Sequence, residues 1–208
     1  MIDSEDEARA YCARQTDAAG MGRLERFTEL LRQENENQNL ISKSSTTSTW
    51  VRHVADSLQL LNLAGDAGGE WLDLGSGAGF PGLAIAIARP DITMTLVESR
   101  KKRIDWLRAV IADLDLSNCA VEGCRLENVE TRPIGAITAR AFAPLGKLLD
   151  LSARFSTRST VWLLPKGRSA EQELADQPAT IRAMFHVEQS QTDAEAAILV
   201  GKGRPRAK

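Results

Sequence analysis

Apolar residues change their rhythm once along the chain. From about residue 4 to residue 64 they recur at helical spacing. Leu24, Phe27, Leu30 and Leu31 form one stripe, and Val51, Val54, Leu58 and Leu61 form a second. The polar stretch 35–48 between them, with Asn-Gln-Asn and Ser-Ser-Thr-Thr-Ser, must contain a loop. From Trp71 onward, short apolar runs alternate with helical stretches. Strands are expected over 71–74, 94–97, 119–122, 136–139 and 160–164, with helices over 81–88, 101–114 and 145–155 between them. That alternation predicts a parallel sheet covered by helices on both faces. The runs 181–187 and 196–200 are separated only by a polar loop, so they predict an antiparallel hairpin. The expected architecture is α/β and Rossmann-like: a seven-stranded, mostly parallel sheet with an antiparallel C-terminal hairpin. Residues 1–64 read as an N-terminal helical extension and 65–208 as the core.

Composition adds limits more than it adds detail. With 43% hydrophobic and 26% charged residues among 208, the chain is an ordinary globular one, not a disordered one. Its longest run of small and apolar residues, 80–88, is half of what a membrane helix needs (about 18 residues) and is broken by Pro81. The acidic N-terminus is unlike a signal peptide. Cys12, Cys119 and Cys124 have neither CxxC spacing nor nearby histidines, so neither a disulfide framework nor a metal site is expected. A protein of the cytoplasm, acting without a membrane, is the reading. The net charge of −2 excludes a uniformly basic nucleic-acid binder but not a local basic patch. The last seven residues carry four bases and no acid, which fits either a solvated terminus or contact with RNA phosphates.

The sharpest signal is Asp73-Leu-Gly75-Ser-Gly77-Ala-Gly79-Phe80-Pro81-Gly82, between a predicted strand and a predicted helix. Such a loop needs glycine where the chain turns sharply and a ligand approaches the backbone. The next strand ends at Glu98, where a carboxylate accepts hydrogen bonds from a ribose diol in a doubly wound fold. Gly77-Ala-Gly79-Phe80-Pro81-Gly82 formally matches the dinucleotide fingerprint. Two features favour S-adenosylmethionine instead. Asp73 at the strand end suits a cationic sulfonium or ammonium better than a pyrophosphate. The terminal hairpin is also unlike the second parallel half of a dinucleotide fold.

The glycine segment resembles motif I of class I methyltransferases. Arg52-His53-Val-Ala-Asp56-Ser-Leu58 precedes it, and Ala139-Arg140-Ala-Phe142-Ala-Pro144-Leu and Leu164-Pro-Lys166-Gly167 follow. In that order the four motifs, within residues 20 to 201, resemble the RsmG (glucose-inhibited division protein B) family. The resemblance implies methylation of N7 of a guanine in 16S ribosomal RNA of the small subunit, with S-adenosylmethionine as cofactor. It also implies cofactor contacts at Gly75, Phe80, Leu126, Glu127 and Arg140. The segment Gly-Cys-Arg-Leu126-Glu127-Asn departs from the usual Ala-Glu or Val-Glu. Asp73, Gly77, Gly79 and Glu98 complete the expected cofactor site.

Arg100, Lys101, Lys102 and Arg103 open a predicted helix, where four cations oppose the helix dipole at a few tenths of a kcal/mol each. An unfavourable local choice points to a function, here RNA phosphates. Arg52, His53 and Lys166 join them as expected RNA contacts, although Arg52 and Asp56, four apart, could equally pair with each other. Trp50, Trp71, Trp106 and Trp162 read as core, whereas Phe80 is expected to touch the ligand. Arg140, at the end of the fourth strand, is the expected catalytic group. It would orient base and cofactor, with a buried pair to Asp73 or Glu127 as its other reading. The chain shows neither the Pro-Pro-aromatic motif of amino-group methylation nor a Pro-Cys nucleophile. No partner subunit is demanded, and a monomer is expected. The rivals are a methyltransferase for a protein or small molecule, and a nucleotide-sensing or RNA-binding module that keeps the fold without turnover.

Overall fold

The computed structural model describes residues 1–205. Arg206 and Lys208, two bases of the terminal basic run, lie outside the described residues, and the expected phosphate role of that run lies partly there with them.

Two capped helices open the chain. In α1 (Glu5–Cys12), Ser4 accepts the Glu7 amide and three acids occupy the first turn, where the helix dipole favours them. In α2 (Ala18–Glu34), Asp17 accepts the Gly20 amide at 2.7 Å. Leu24, Phe27 and Leu31 of its apolar stripe are buried and Leu30 partly so. The second stripe is not an ordinary helix. A 3₁₀ turn (Lys43–Ser48) runs into a π-helix (Trp50–Ala55), one turn of α3 (Asp56–Leu58) and a second 3₁₀ turn (Gln59–Leu63). The wide π turn exposes backbone amides, and Glu5 of α1 caps two of them. Its carboxylate accepts from Val51 at 2.9 Å and from Trp50 at 3.1 Å.

The sheet follows as β1 (Glu70–Leu74), α4 (Gly82–Ala88), β2 (Thr93–Val97), α5 (Lys101–Asp113), β3 (Cys119–Glu122) and β4 (Ala136–Ala139). Then come α6 (Leu145–Ser152), β5 (Val161–Lys166), α7 (Ala170–Ala175), α8 (Ala179–Arg182), β6 (Phe185–Gln189) and β7 (Ala197–Lys202). The strand order is β3-β2-β1-β4-β5-β7-β6, with β5–β7 and β6–β7 antiparallel and the other neighbours parallel. This is the expected seven-stranded sheet with its terminal hairpin. The hairpin's bounds differ from 181–187 and 196–200: β6 starts at Phe185 because Ile181 lies in an extra short helix, and both strands run two residues further, to Gln189 and Lys202. The other addition, α7, buries only Ala170 and so leaves no apolar stripe to read.

All seven residues of α4 are buried, which is why its sequence is apolar on every side. One core cluster joins Phe27, Leu58, Leu83 and Ile85 on the α4 face of the sheet. The other joins Leu72, Leu74, Leu149 and Trp162 on the opposite face. All four tryptophans are core. Among the described residues no helix is long and apolar enough to cross a membrane. The chain runs outward from β1 to β3 and returns through β4 on the other side of β1. The resulting switch point lies at the carboxyl ends of β1 and β4, where a doubly wound sheet opens a crevice.

Candidate active site

Two cavities adjoin at that crevice. The smaller, about 360 Å³, lies within the range of small-ligand pockets. Its wall includes Gly75, Glu98, Leu126 and Glu127, four of the expected cofactor residues, brought together from the ends of three strands. Gly75 has φ +70°, and a Cβ there would lie 2.7 Å from Cδ2 of Phe142, so glycine alone fits. The Gly75 and Ser76 amides donate to Val97 O at 2.8 and 3.1 Å, pinning the loop to the end of β2. Glu98 is 6% exposed. One of its oxygens accepts from Ser99 and Arg100 amides at 2.7 and 2.8 Å, and the other from the Gly77 amide at 3.1 Å. Two oxygens offer about four acceptor sites, so one stays free for a ligand hydroxyl.

Several expected contacts fall elsewhere. Asp73 does not reach the cavity. Side chains alternate along β1, so Leu72 and Leu74 face one side and Asp73 the other, beneath α4. There it is wholly buried, and Gly82 is pressed so close that a Cβ would lie 2.5 Å from that of Asp73. One Asp73 oxygen accepts from Thr138 Oγ1 at 2.7 Å and the other has no partner. Burial holds its carboxyl above the usual range, despite hydrogen bonds that oppose the shift. The side chain of Phe80 also turns inward. It is 3% exposed, with ring centroids 5.1 Å from those of both Phe27 and His53. The loop turns this aromatic towards the N-terminal helices, and it borders neither of the two cavities. Gly77 and Gly79 shape the loop but do not border the cavity; Gly79 packs on Leu83 and Phe27.

The larger cavity, about 860 Å³, gathers Arg52, His53, Arg140 and Lys166, with Asp56 and Asp193. Its cations are paired. Arg140 Nη1 donates to Asp56 Oδ2 and to the Arg52 carbonyl, each at 3.2 Å, so its partner is neither Asp73 nor Glu127. Arg52 reaches Asp193 at 3.1 Å instead of Asp56. Lys166 is half-buried between Glu173 at 2.8 Å and the Ala143 carbonyl at 3.1 Å. His53 Nε2 lies 3.0 Å from Ser45 Oγ, while Nδ1 is buried without a partner. Burial first, then the neighbouring Arg140 and Arg52 charges, push its pKa down to about 3. The imidazole is therefore neutral at physiological pH.

The basic run divides. Arg100 and Arg103 border the smaller cavity, with an Arg103 nitrogen 3.4 Å from where a Cβ on Gly77 would stand. Lys101 and Lys102 face solvent, and Lys101 pairs with Asp105 one turn on at 3.1 Å. Among the described residues none of the four lines the larger cavity. Sequence reasoning missed Phe142 and Glu173 as wall residues, and Thr192 and Asp193 of the β6–β7 loop. Phe142 had a signal, since it sits inside the recognised motif after the fourth strand. The β6–β7 loop had none, because only tertiary folding brings Thr192 Oγ1 to Asp56 Oδ1 at 2.9 Å.

The smaller cavity fits an adenosyl group: a buried carboxylate acceptor, a glycine wall without Cβ, and apolar Val97 and Leu126 beside it. Comparison with known proteins agrees. The family described as "rRNA small subunit methyltransferase G" matches residues 21–197. Ribosomal RNA small subunit methyltransferase G of Erythrobacter litoralis is 57% identical over 99% of this chain and 100% of its own length. The protein of the same name from Rhizorhabdus wittichii is 47% identical over 100% of this chain and 97% of its own. Among solved structures, a mutant of MtNAS in complex with S-adenosylmethionine superimposes with a TM-score of 0.56 at 16% identity. That match covers 96% of this chain and 77% of the other. The fibrillarin pre-rRNA processing protein of Methanococcus jannaschii gives 0.52 at 14% identity, over 67% and 68%. At such identities these two establish the fold alone.

Proposed function

The chain belongs to the rRNA small subunit methyltransferase G family, and from that premise we propose that it methylates N7 of a guanine in 16S ribosomal RNA where its two cavities meet. The observation that carries this reading is the common wall. Ala141, Phe142 and Ala143 border both cavities, so a cofactor in the smaller and a base in the larger would adjoin there. The chain acts as a monomer in the cytoplasm, its residues 1–64 forming a helical extension over the 65–208 core.

S-adenosylmethionine, when bound, supplies a methyl group made electrophilic by its sulfonium. Gly75, Glu98, Leu126 and Glu127 hold it, with Arg103 at the rim. N7 of guanine carries a lone pair and no proton, so the attacking atom needs no general base. Neutral His53 agrees, since an imidazole with a pKa of about 3 is almost never imidazolium at physiological pH and is too weak a base to serve as one. The work left to the chain is positioning and exclusion of water. Arg140, anchored by Asp56 and the Arg52 carbonyl, orients the base through its remaining donors. Arg52, Arg100, Lys101, Lys102 and Lys166 contribute to RNA phosphate binding.

Labelled methyl transfer onto small-subunit RNA, followed by borohydride–aniline cleavage at N7-methylguanine, tests the reading. Cleavage at one guanine supports it. A methyl group on an exocyclic amine or a ring carbon, or none on RNA, overturns it.

A further inference from the structure

We propose that Phe142 is the stacking platform for the target guanine, an assignment that rests on the reading of the two cavities given above. Three observations converge on this residue. It borders both cavities, and among the described residues it is the one Phe, Tyr or Trp in either wall. An enzyme that acts on a nucleobase takes it out of the RNA stack and replaces that stack with aromatic or apolar side chains. In these walls Phe142 is the flat apolar surface on offer, half-buried where methyl donor and acceptor must meet.

Its backbone is also fixed more firmly than a loop after a strand requires. Ala141 has φ +53°, a left-handed conformation that a residue with a Cβ adopts only when its surroundings impose it. Before it, Arg140 is tied to Asp56 and to the Arg52 carbonyl. After it, Lys166 Nζ donates to the Ala143 carbonyl at 3.1 Å, and Glu173 accepts the Leu145 amide at 2.9 Å. Lys166 and Glu173 in turn pair with each other at 2.8 Å. The ring itself rests on Gly75, where the missing Cβ makes room for Cδ2. A side chain held from three sides at a shared wall costs little further ordering when a base stacks on it. This gives Lys166 a second task beside phosphate contact, and it shares that task with Glu173: together they position the loop.

The test uses the full chain with small-subunit RNA as substrate and wild type as control. Phe142→Tyr and Phe142→Trp should keep kcat/KM for RNA within about three-fold. Phe142→Leu, which keeps apolar bulk without a π face, should lower it by about 10- to 100-fold, the loss expected for one base–aromatic stack. S-adenosylhomocysteine affinity, measured separately, should change far less in the Leu variant than kcat/KM for RNA. In parallel, p-benzoylphenylalanine at position 142 should crosslink, in the presence of S-adenosylhomocysteine, to the guanine that wild type methylates. Overturning results are a Leu variant as active as wild type, equal losses in cofactor and RNA terms, or a crosslink elsewhere or absent. Wild type failing to methylate RNA would instead sink the functional reading, so the two failures are distinguishable.

Discussion

The smaller cavity is walled largely by short segments that each follow a strand, and its key carboxylate, Glu98, is held by three backbone amides. The larger cavity draws on the π-helix, the loop after β4, the end of β5 and the β6–β7 loop, and its charged groups hold one another. Arg52 binds Asp193, Arg140 binds Asp56, and Lys166 binds Glu173. The first site presents charge from the backbone scaffold; the second uses charge to assemble segments far apart in sequence. A cation in a recognisable motif is therefore not automatically a phosphate contact. In the larger cavity, charge is first a structural tie, and removing one partner disturbs the geometry of several segments together.

Arg140→Lys breaks the second kind of site and should have the largest effect. Its guanidinium reaches Asp56 and the Arg52 carbonyl while lying 5.3 Å from the Phe80 ring centroid. Both bonds come from the one nitrogen Nη1, so an ammonium placed there would keep them, but it would lose the remaining guanidinium donors that orient the base. Misplacing the base by about 1 Å costs on the order of 100-fold, so single-turnover rates should fall by at least that. Isothermal titration should show S-adenosylhomocysteine binding nearly intact. If cofactor affinity falls as far as the rate, Arg140 belongs to the smaller cavity and the division between the sites is wrong.

Glu98→Ala should do the reverse. It removes a ribose acceptor and leaves the Gly77, Ser99 and Arg100 amides without their partner, a loss of about 1–3 kcal/mol in S-adenosylhomocysteine binding. NAD should show no measurable binding to either protein. An unchanged S-adenosylhomocysteine affinity would make Glu98 a loop cap and nothing more.

The same contrast explains what could be read before the structure. Strand 136–139 was legible to the residue because a parallel strand buried on both faces forms an unbroken buried run, whereas the edge strand 119–122, with only Cys119 buried, was legible from its place between two helical stretches. The glycine loop and Glu98 were legible because a strand–turn–helix unit carries its whole geometry within about 25 residues. Asp73 and Phe80 lie in that same motif, yet their side chains turn into the core and away from both cavities. Sequence spacing places a residue on the loop, and only packing against α2, α4 and the π-helix decides which way it turns. The larger cavity was half legible. Its motif residues could be named, but the partners of Arg52, Arg140 and Lys166 are 141, 84 and 7 residues away. The π-helix was hidden because its apolar spacing is close to that of an α-helix over so short a run.

Lys101 and Lys102 test the periphery of both sites. Their side chains are solvated, and an exposed i,i+4 pair such as Lys101–Asp105 is worth only about 0.3–0.5 kcal/mol, so stability should barely move on substitution. Replacing both with alanine should raise the RNA KM a few-fold and reduce the salt dependence of RNA binding by up to about two units of slope. A slope that stays at the wild-type value would make the run a solvated face.

The smallest expected effect is the pH dependence of the chemical step, and it bears on the neutral His53 in the larger cavity. His53 has a folded pKa of about 3, below its usual value, so the folded chain takes up its proton far later than the unfolded chain. Its contribution to stability is thus present above about pH 6.5 and is lost as pH falls from there towards 3. Denaturant melts at about pH 7 and pH 5 should show this loss in wild type and less of it in His53→Gln. The chemical step should respond differently. Between about pH 6.5 and 8.5 a group with so low a pKa does not titrate, and the acceptor nitrogen has no proton to lose, so single-turnover rates should stay flat. His53→Ala is expected to change the height of that profile through its contacts with Ser45 and Phe80, and not its shape. A single-proton rise across the window that vanishes in His53→Ala would make the histidine a general base. It would also refute both a base-free transfer and N7 as the acceptor.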